Sequence, residues 1–271
     1  MDTRIIVVTS GKGGVGKTTV TANLSARLAT EGYSVVAIDA DIGLRNLDVV
    51  MGLENRIVFN VVDVIEEACK LQQALVRDRR IENLFLLPAA QTRTKEAVNS
   101  KQMKELCDSL RGKYDFVIID SPAGIESGFR NAAAGADEAL VVVTPDVSSV
   151  RDADRIIGLL ESGEKKSIAL VVNRVRPAMI RSGKMLGVSD VSDILAVSIL
   201  GIIPEDDNVV ISTNRGEPLT LGSPSPAARA FENIAGRILG RDIPLPDPGS
   251  LDEKGLLAGL KKMFGRQGGR G

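Results

Sequence analysis

The segment Gly11-Lys12-Gly13-Gly14-Val15-Gly16-Lys17-Thr18 constrains the fold more than any other part of the chain. It fits the pattern G-x-x-x-x-G-K-[ST] and carries a second lysine, Lys12, inside the loop. The short apolar run at residues 5–8 reads as a buried strand, and residues 18–30 read as a helix. Strand, glycine loop and helix in this order make a phosphate cradle. Glycines let the backbone curl so that successive N–H groups face one oxyanion, and the helix N-terminus adds partial positive charge. Lys17 is then aimed at the β- and γ-phosphates of a nucleoside triphosphate, and the Thr18 hydroxyl at Mg²⁺.

Short apolar runs recur between helical patterns. Residues 5–8, 35–38, 84–87, 116–119, 139–143, 168–172 and 197–203 read as strands. Polar on neither face, they suit parallel strands covered by helices on both sides. Residues 100–110, 149–160 and 227–239 read as helices, and Val20, Leu24 and Leu28 give the helix after the loop one apolar stripe. The alternation predicts a single α/β domain over residues 1–240, a P-loop NTPase fold with a mostly parallel sheet flanked by helices.

Composition narrows the chemistry. The 271 residues are 44% hydrophobic and 25% charged, ordinary for a soluble globular protein. A net charge of −1 argues against nucleic-acid affinity driven by overall charge, and no specific nucleic acid is expected. The lack of histidine excludes histidine acid–base and metal chemistry, while Cys69 and Cys107 lack metal-ligand spacing and suit a reducing compartment. The chain enters a strand within four residues, leaving no room for a signal peptide, and no run of 18 apolar residues is present to span a membrane.

After Gly240 the composition changes. Residues 241–252 carry Pro244, Pro246 and Pro248 and read as a stiff, extended linker. In residues 253–271, Leu256, Leu257, Leu260, Met263 and Phe264 fall on one helix face, with Lys254, Lys261, Lys262 and Arg266 at its flanks or opposite it. That is the pattern of an interfacial amphipathic helix; the alternative is a terminal helix docked on the core.

Two further strand ends supply carboxylates. Residues 35–38 run into Asp39-Ala40-Asp41, and residues 116–119 run into Asp120-Ser121-Pro122. Carboxylates at the carboxyl ends of parallel strands lie in the crevice where open α/β sheets bind ligands. Asp120 is expected at Mg²⁺. Asp39 and Asp41, two apart, are expected on one side of their strand, one supporting the metal shell and the other orienting a water.

Together these residues resemble the MinD/ParA family of ATPases with a deviant Walker-A loop. Residues 12–19, from Lys12 to Thr19, resemble that loop, residues 39–48 the MinD-type switch I, and residues 120–126 the matching switch II. Residues 145–152 and 203–206 follow the same pattern, so the resemblance covers nearly the whole chain. It implies that Gly11, Lys12, Gly13, Gly14, Val15, Gly16, Lys17, Thr18 and Thr19 hold ATP, with Lys12 reaching the phosphates of a second subunit. Lys12, Lys17 and Asp41 are then the catalytic set, Asp41 positioning the water, with Thr18, Asp39 and Asp120 at the metal. Asn173, Pro204, Glu205 and Asp206 resemble the adenine-binding edge, and the terminal helix resembles a membrane-targeting sequence. The glycine-rich end at residues 265–271 departs from the family pattern.

The resemblance also implies an ATP-dependent homodimer that acts in division-site placement. Its expected partners are an anionic membrane surface, a division inhibitor of the MinC type, and a regulator of the MinE type or a landmark protein. The expected location is the cytoplasm and the cytoplasmic face of the inner membrane. Rival readings fit less well. A partition ATPase should show a basic surface and no amphipathic tail, a flagellar-number regulator an N-terminal extension, and a nitrogenase-type iron protein paired cluster cysteines. A nucleotide-gated scaffold without turnover is the remaining alternative, and the intact Lys12 and Asp41 argue against it.

Overall fold

The apolar runs pair edge to edge. In the computed structural model, which describes residues 2–163, 165 and 167–247, they form β1 (Arg4–Thr9), β2 (Val35–Asp39), β3 (Val76–Arg77), β4 (Leu84–Leu87), β5 (Phe116–Asp120), β6 (Glu138–Val143), β7 (Ser167–Val175) and β8 (Ile199–Pro204). These make one sheet in the order β3-β4-β2-β5-β1-β6-β7-β8. All neighbours are parallel except β3 and β4. The helices are α1 (Lys17–Thr30), α2 (Leu47–Met51), α3 (Val61–Ile65), α4 (Leu71–Ala74), α5 (Ser100–Leu110), α6 (Ser127–Ala134), α7 (Val147–Ser162), α8 (Pro177–Arg181), α9 (Val188–Leu195), α10 (Asp207–Asn214) and α11 (Pro226–Ile238).

Strand side chains alternate between two buried faces, which is why the runs lack a polar face. Ile5, Val7, Val36, Ile38, Val117 and Ile119 pack on one side with Met103 and Leu106 of α5 and Ile156 of α7. Ile6, Val8, Val35, Ala37 and Ile118 pack on the other with Leu24 and Leu28 of α1 and Phe231 of α11. Val20, Leu24 and Leu28 are fully buried, as their spacing predicts, each contributing roughly 1.5–3 kcal/mol. β1 is central, so the loop leaving it opens between the ends of β5 and β6, where chain connections diverge to opposite sides of the sheet.

Several boundaries differ from the sequence reading. β3 is two residues long, too short to leave a periodic signal, and it is the antiparallel edge. β8 begins at Ile199 rather than 197, because Ala196 at φ 52° ends α9 and the next two residues complete the turn. β7 runs on to Val175, taking Asn173 into the strand, with an irregularity against β8 between Val172 and Val175. β2 ends at Asp39, so Asp41 lies beyond the strand, and its charge still acts on Lys17, Asp39 and Asp120.

Residues 241–247 leave α11 without regular structure. They are tied at their start: Arg237 donates to the carbonyls of Ile243 (2.8 Å) and Pro244 (2.7 Å), and Arg241 pairs with Glu31 at 2.5 Å. The expected membrane residues Leu256, Leu257, Leu260, Lys261, Lys262, Met263 and Phe264 lie outside the described residues. Among the described residues, no helix is long and apolar enough to cross a membrane.

Candidate functional site

Gly16 caps α1 at φ 103°, a left-handed conformation that glycine adopts without a Cβ clash. A Cβ there would lie 2.3 Å from the Asn173 side-chain nitrogen. No side chain caps the helix, so its first amides face outward over the loop. A Cβ on Gly13 or Gly14 would meet nothing within 4 Å, whereas one on Gly11 would lie 2.3 Å from the backbone of Asp152 in α7. The loop is thus seated against α7 on one side and open on the other. Free amides, a helix N-terminus and open space make a cradle that fits a phosphate chain.

The two lysines of the loop occupy different surroundings. Lys17 is 8% exposed and donates to Ser10 Oγ at 3.0 Å; Ser10 in turn donates to the Lys12 carbonyl at 2.7 Å. Burial lowers the Lys17 pKa, and the charges of Asp120 and Asp41 oppose that shift. Lys12 points outward, donating to Ser148 Oγ at 2.7 Å and lying 3.5 Å from Asp146 Oδ1 at the start of α7. Burial would raise the Asp146 pKa, but hydrogen bonds from Thr144, the Ser149 amide and Ser148, with the Lys12 charge, hold it down at about 2.

The carboxylates at the strand ends face one another, Asp39 and Asp120 being paired in register across β2 and β5. Both are buried. Burial pushes Asp120 well above the usual carboxylate range, the charge of Asp39 adds to this, and the Thr18 hydroxyl and Lys17 pull it back. Thr21 Oγ1 lies 3.4 Å from Asp120 Oδ1. The structure therefore brings Thr18, Lys17 and Asp120 together beside the cradle, and two buried carboxyls that resist sharing negative charge fit a cation there. Burial likewise raises the pKa of Asp39. Its oxygens accept the amides of Asp41 (3.0 Å), Asn46 (3.2 Å) and Leu47 (3.1 Å). Asp39 is thereby the post to which the loop carrying Asp41 is tied.

Of the expected adenine edge, Pro204, Glu205 and Asp206 line a cavity of about 630 Å³ with Arg176, Pro177 and Pro226. Glu205 pairs with Arg176 at 3.2 Å. Both residues also line an adjoining cavity of about 350 Å³ against Lys12, Gly13 and Asp146, so the space continues from the loop to the 204–206 edge. Asn173 instead lies beneath the loop, donating from Nδ2 to the Val15 carbonyl at 2.7 Å, while its Oδ1 accepts the Arg174 amide at 2.9 Å. Ser10 and Thr21 were not singled out from the sequence, and Asp146 and Ser148 only as part of the patterned segment 145–152, with no role attached.

Comparison with known proteins agrees with this geometry. The model of the CobQ/CobB/MinD/ParA nucleotide binding domain matches residues 6–219. The septum site-determining protein MinD of Synechocystis sp. is 57% identical over 245 residues, 90% of this chain and 92% of that protein. A chain of the MinC:MinD cell division protein complex of Aquifex aeolicus is 50% identical, with a TM-score of 0.82 over 90% of this chain and 98% of that one. MinD of Pyrococcus horikoshii, solved with Mg-ADP, is 34% identical, with a TM-score of 0.80 over 87% of this chain and 96% of that one. A nucleotide cradle of this construction, and likeness of this extent, place one conclusion beyond the fold itself: the chain belongs to the CobQ/CobB/MinD/ParA family of nucleotide-binding domains, in its MinD septum site-determining branch.

Proposed function

We propose that the protein is a slow, switch-like ATPase that dimerises on ATP, binds the cytoplasmic face of the inner membrane as a dimer, and positions the cell or plastid division site. The observation that carries this reading is the divided loop: Lys17 is turned inward on Ser10, and Lys12 is turned outward with its side chain 45% exposed. An outward lysine beside an open cradle is placed to meet phosphates held by a second copy.

The chain's own residues account for binding and positioning. The glycine loop and the first amides of α1 receive the phosphates, and the partly desolvated Lys17 ammonium supplies charge where water is largely excluded. A Mg²⁺ ion held by Thr18 and Asp120, with Asp39 beside Asp120 supporting its shell, would neutralise charge on the phosphates. Asp39 fixes the loop 40–47, and Asp41 orients the attacking water. Mg-ADP in the Pyrococcus horikoshii relative supports this nucleotide and metal. The MinC:MinD complex of Aquifex aeolicus supports a MinC-type inhibitor as partner, and the family resemblance extends this to a regulator of the MinE type or a landmark protein.

The tail makes nucleotide state a membrane signal. Interfacial burial of five apolar side chains is partial, basic residues near anionic lipid add about 1 kcal/mol each, and ordering a short helix opposes both. One copy binds weakly, and two copies on one dimer gain on the order of 10²–10⁴-fold by avidity. Sedimentation with vesicles containing anionic lipid tests this. The full chain should pellet with ATP and remain in the supernatant with ADP, and a chain lacking residues 251–271 should remain there in both. Pelleting of the truncated chain in ATP would refute the membrane role of the tail.

A further inference from the structure

α10 starts at the 204–206 edge of the nucleotide cavity and ends at Asn214, yet none of its residues is buried, and Val210 and Ile211 are 61% and 47% exposed. Val209 packs partly against the core, and the rest of the helix has little core packing to hold it. Its first end is fixed by Asp206, whose side chain accepts the amides of Asn208 (3.0 Å) and Ala227 (3.0 Å). Beyond its other end, Gly216 meets α2 backbone to backbone. A Cβ on Gly52 would lie 2.2 Å from the Gly216 carbonyl oxygen, one on Gly216 would lie 2.7 Å from Gly52 Cα, and both glycines have positive φ.

One side chain bridges that junction. Arg80 donates to the carbonyls of Met51 (2.5 Å) and Gly216 (3.0 Å) and holds Asp78 through both carboxylate oxygens, at 3.1 and 2.7 Å. Asp78 is 2% exposed, and its Oδ1 also accepts the Arg80 and Ile81 amides, so the guanidinium is fixed from behind. A planar fork can serve two carbonyls and a carboxylate together, which a lysine ammonium cannot do with the same geometry. At its opposite end, α2 is pinned by the Asn46 and Leu47 amides to Asp39, which also holds the Asp41 amide.

We infer that Arg80 is a positioning residue. It clamps α2 to α10, so that a nucleobase seated against Pro204–Asp206 biases the loop that carries Asp41, more than 30 positions away from Arg80 in the chain. This rests on the reading of the cleft as a nucleotide site. It goes beyond that reading in giving the junction of Gly52, Arg80 and Gly216 the task of reporting the base to the hydrolytic residue.

Hydrogen exchange on the full chain tests the clamp without relying on turnover. ADP carries the base and pyrophosphate does not. In the wild type both should protect the loop at residues 11–19, and ADP should slow exchange across residues 42–52 about fivefold or more beyond pyrophosphate. In Arg80→Met that difference should disappear while protection of residues 11–19 by both ligands remains. Arg80→Lys keeps a cation beside buried Asp78 and should also lose the difference, which covers the case in which Arg80→Met fails to fold. A purely structural arginine would raise exchange equally with either ligand, and a preserved ADP–pyrophosphate difference in the folded variants would overturn the proposal. Equal protection by the two ligands in the wild type would overturn it as well. Absence of any protection of residues 11–19 by ADP would overturn the nucleotide reading itself, a result distinct from loss of the clamp.

Discussion

Replacing Asn173 with alanine should weaken binding of the phosphate chain itself, not only of the base. The Nδ2 group is the donor to the Val15 carbonyl at 2.7 Å, and Val15 is 2% exposed, so no water replaces the lost hydrogen bond without rearrangement of the loop. Leaving a buried carbonyl unsatisfied costs about 1–3 kcal/mol. If the loop relieves this by moving away from the geometry that receives phosphate, the loss appears as about 5- to 150-fold weaker binding, at 1.4 kcal/mol per tenfold. Titration calorimetry with ADP and with pyrophosphate separates the two roles of the side chain. Support of the loop predicts that both ligands weaken by a similar factor. Unchanged pyrophosphate binding with weakened ADP binding would show that Asn173 acts at the adenine alone, and would refute the argument from the Val15 contact.

Gly11→Ala should displace the loop from α7, because the added methyl would lie 2.3 Å from the Asp152 backbone; calorimetry should find ADP binding lost or greatly weakened, and wild-type affinity would contradict the close seating. Asp41→Ala should retain ATP binding and accumulate dimers while hydrolysis falls by about 10²-fold or more, measured as phosphate release; wild-type turnover would move the water-orienting role to another carboxylate. The Cys107 thiol is fully buried, and burial pushes its pKa up to about 12, so its reactive thiolate is scarce at pH 8 and gains as pH rises. A disulfide reagent should therefore titrate at most one thiol in the native protein and two after denaturation, and two fast thiols in the native state would contradict the packing.

The phosphate loop was legible in the sequence because the chemistry demands particular residues at fixed spacing, from Gly11 to Thr18, on a local strand–loop–helix frame. The sheet was legible because both faces are buried, so Ile5–Val8-type runs stand out whatever their order. What could not be read were contacts between distant positions. Lys12 meets Ser148 across 136 positions and Asn173 meets Val15 across 158; the sequence marks both segments but not which side chains meet. Asp39 shows the same limit locally. Its place at a strand end was evident, but its use as a post for three amides follows from β2 ending there and the chain turning back to α2. The two-residue β3 and the five-residue α2 carry too little periodicity to be recognised, although both stand beside the Arg80 junction.

The central claim, that one loop uses one lysine within its own subunit and the other across a dimer, is tested most directly by light scattering of the full chain with Mg-ATP and with Mg-ADP. The wild type should double its mass with Mg-ATP and remain a monomer with Mg-ADP. Lys12→Ala should bind ATP with near wild-type affinity and stay monomeric, because the inward Lys17 and its Ser10 contact, which face the phosphates of the same subunit, are untouched. Lys17→Ala should fail at the earlier step and bind no ATP. An Lys12→Ala protein that dimerises on ATP like the wild type, or a wild type that stays monomeric with ATP bound, would contradict the account.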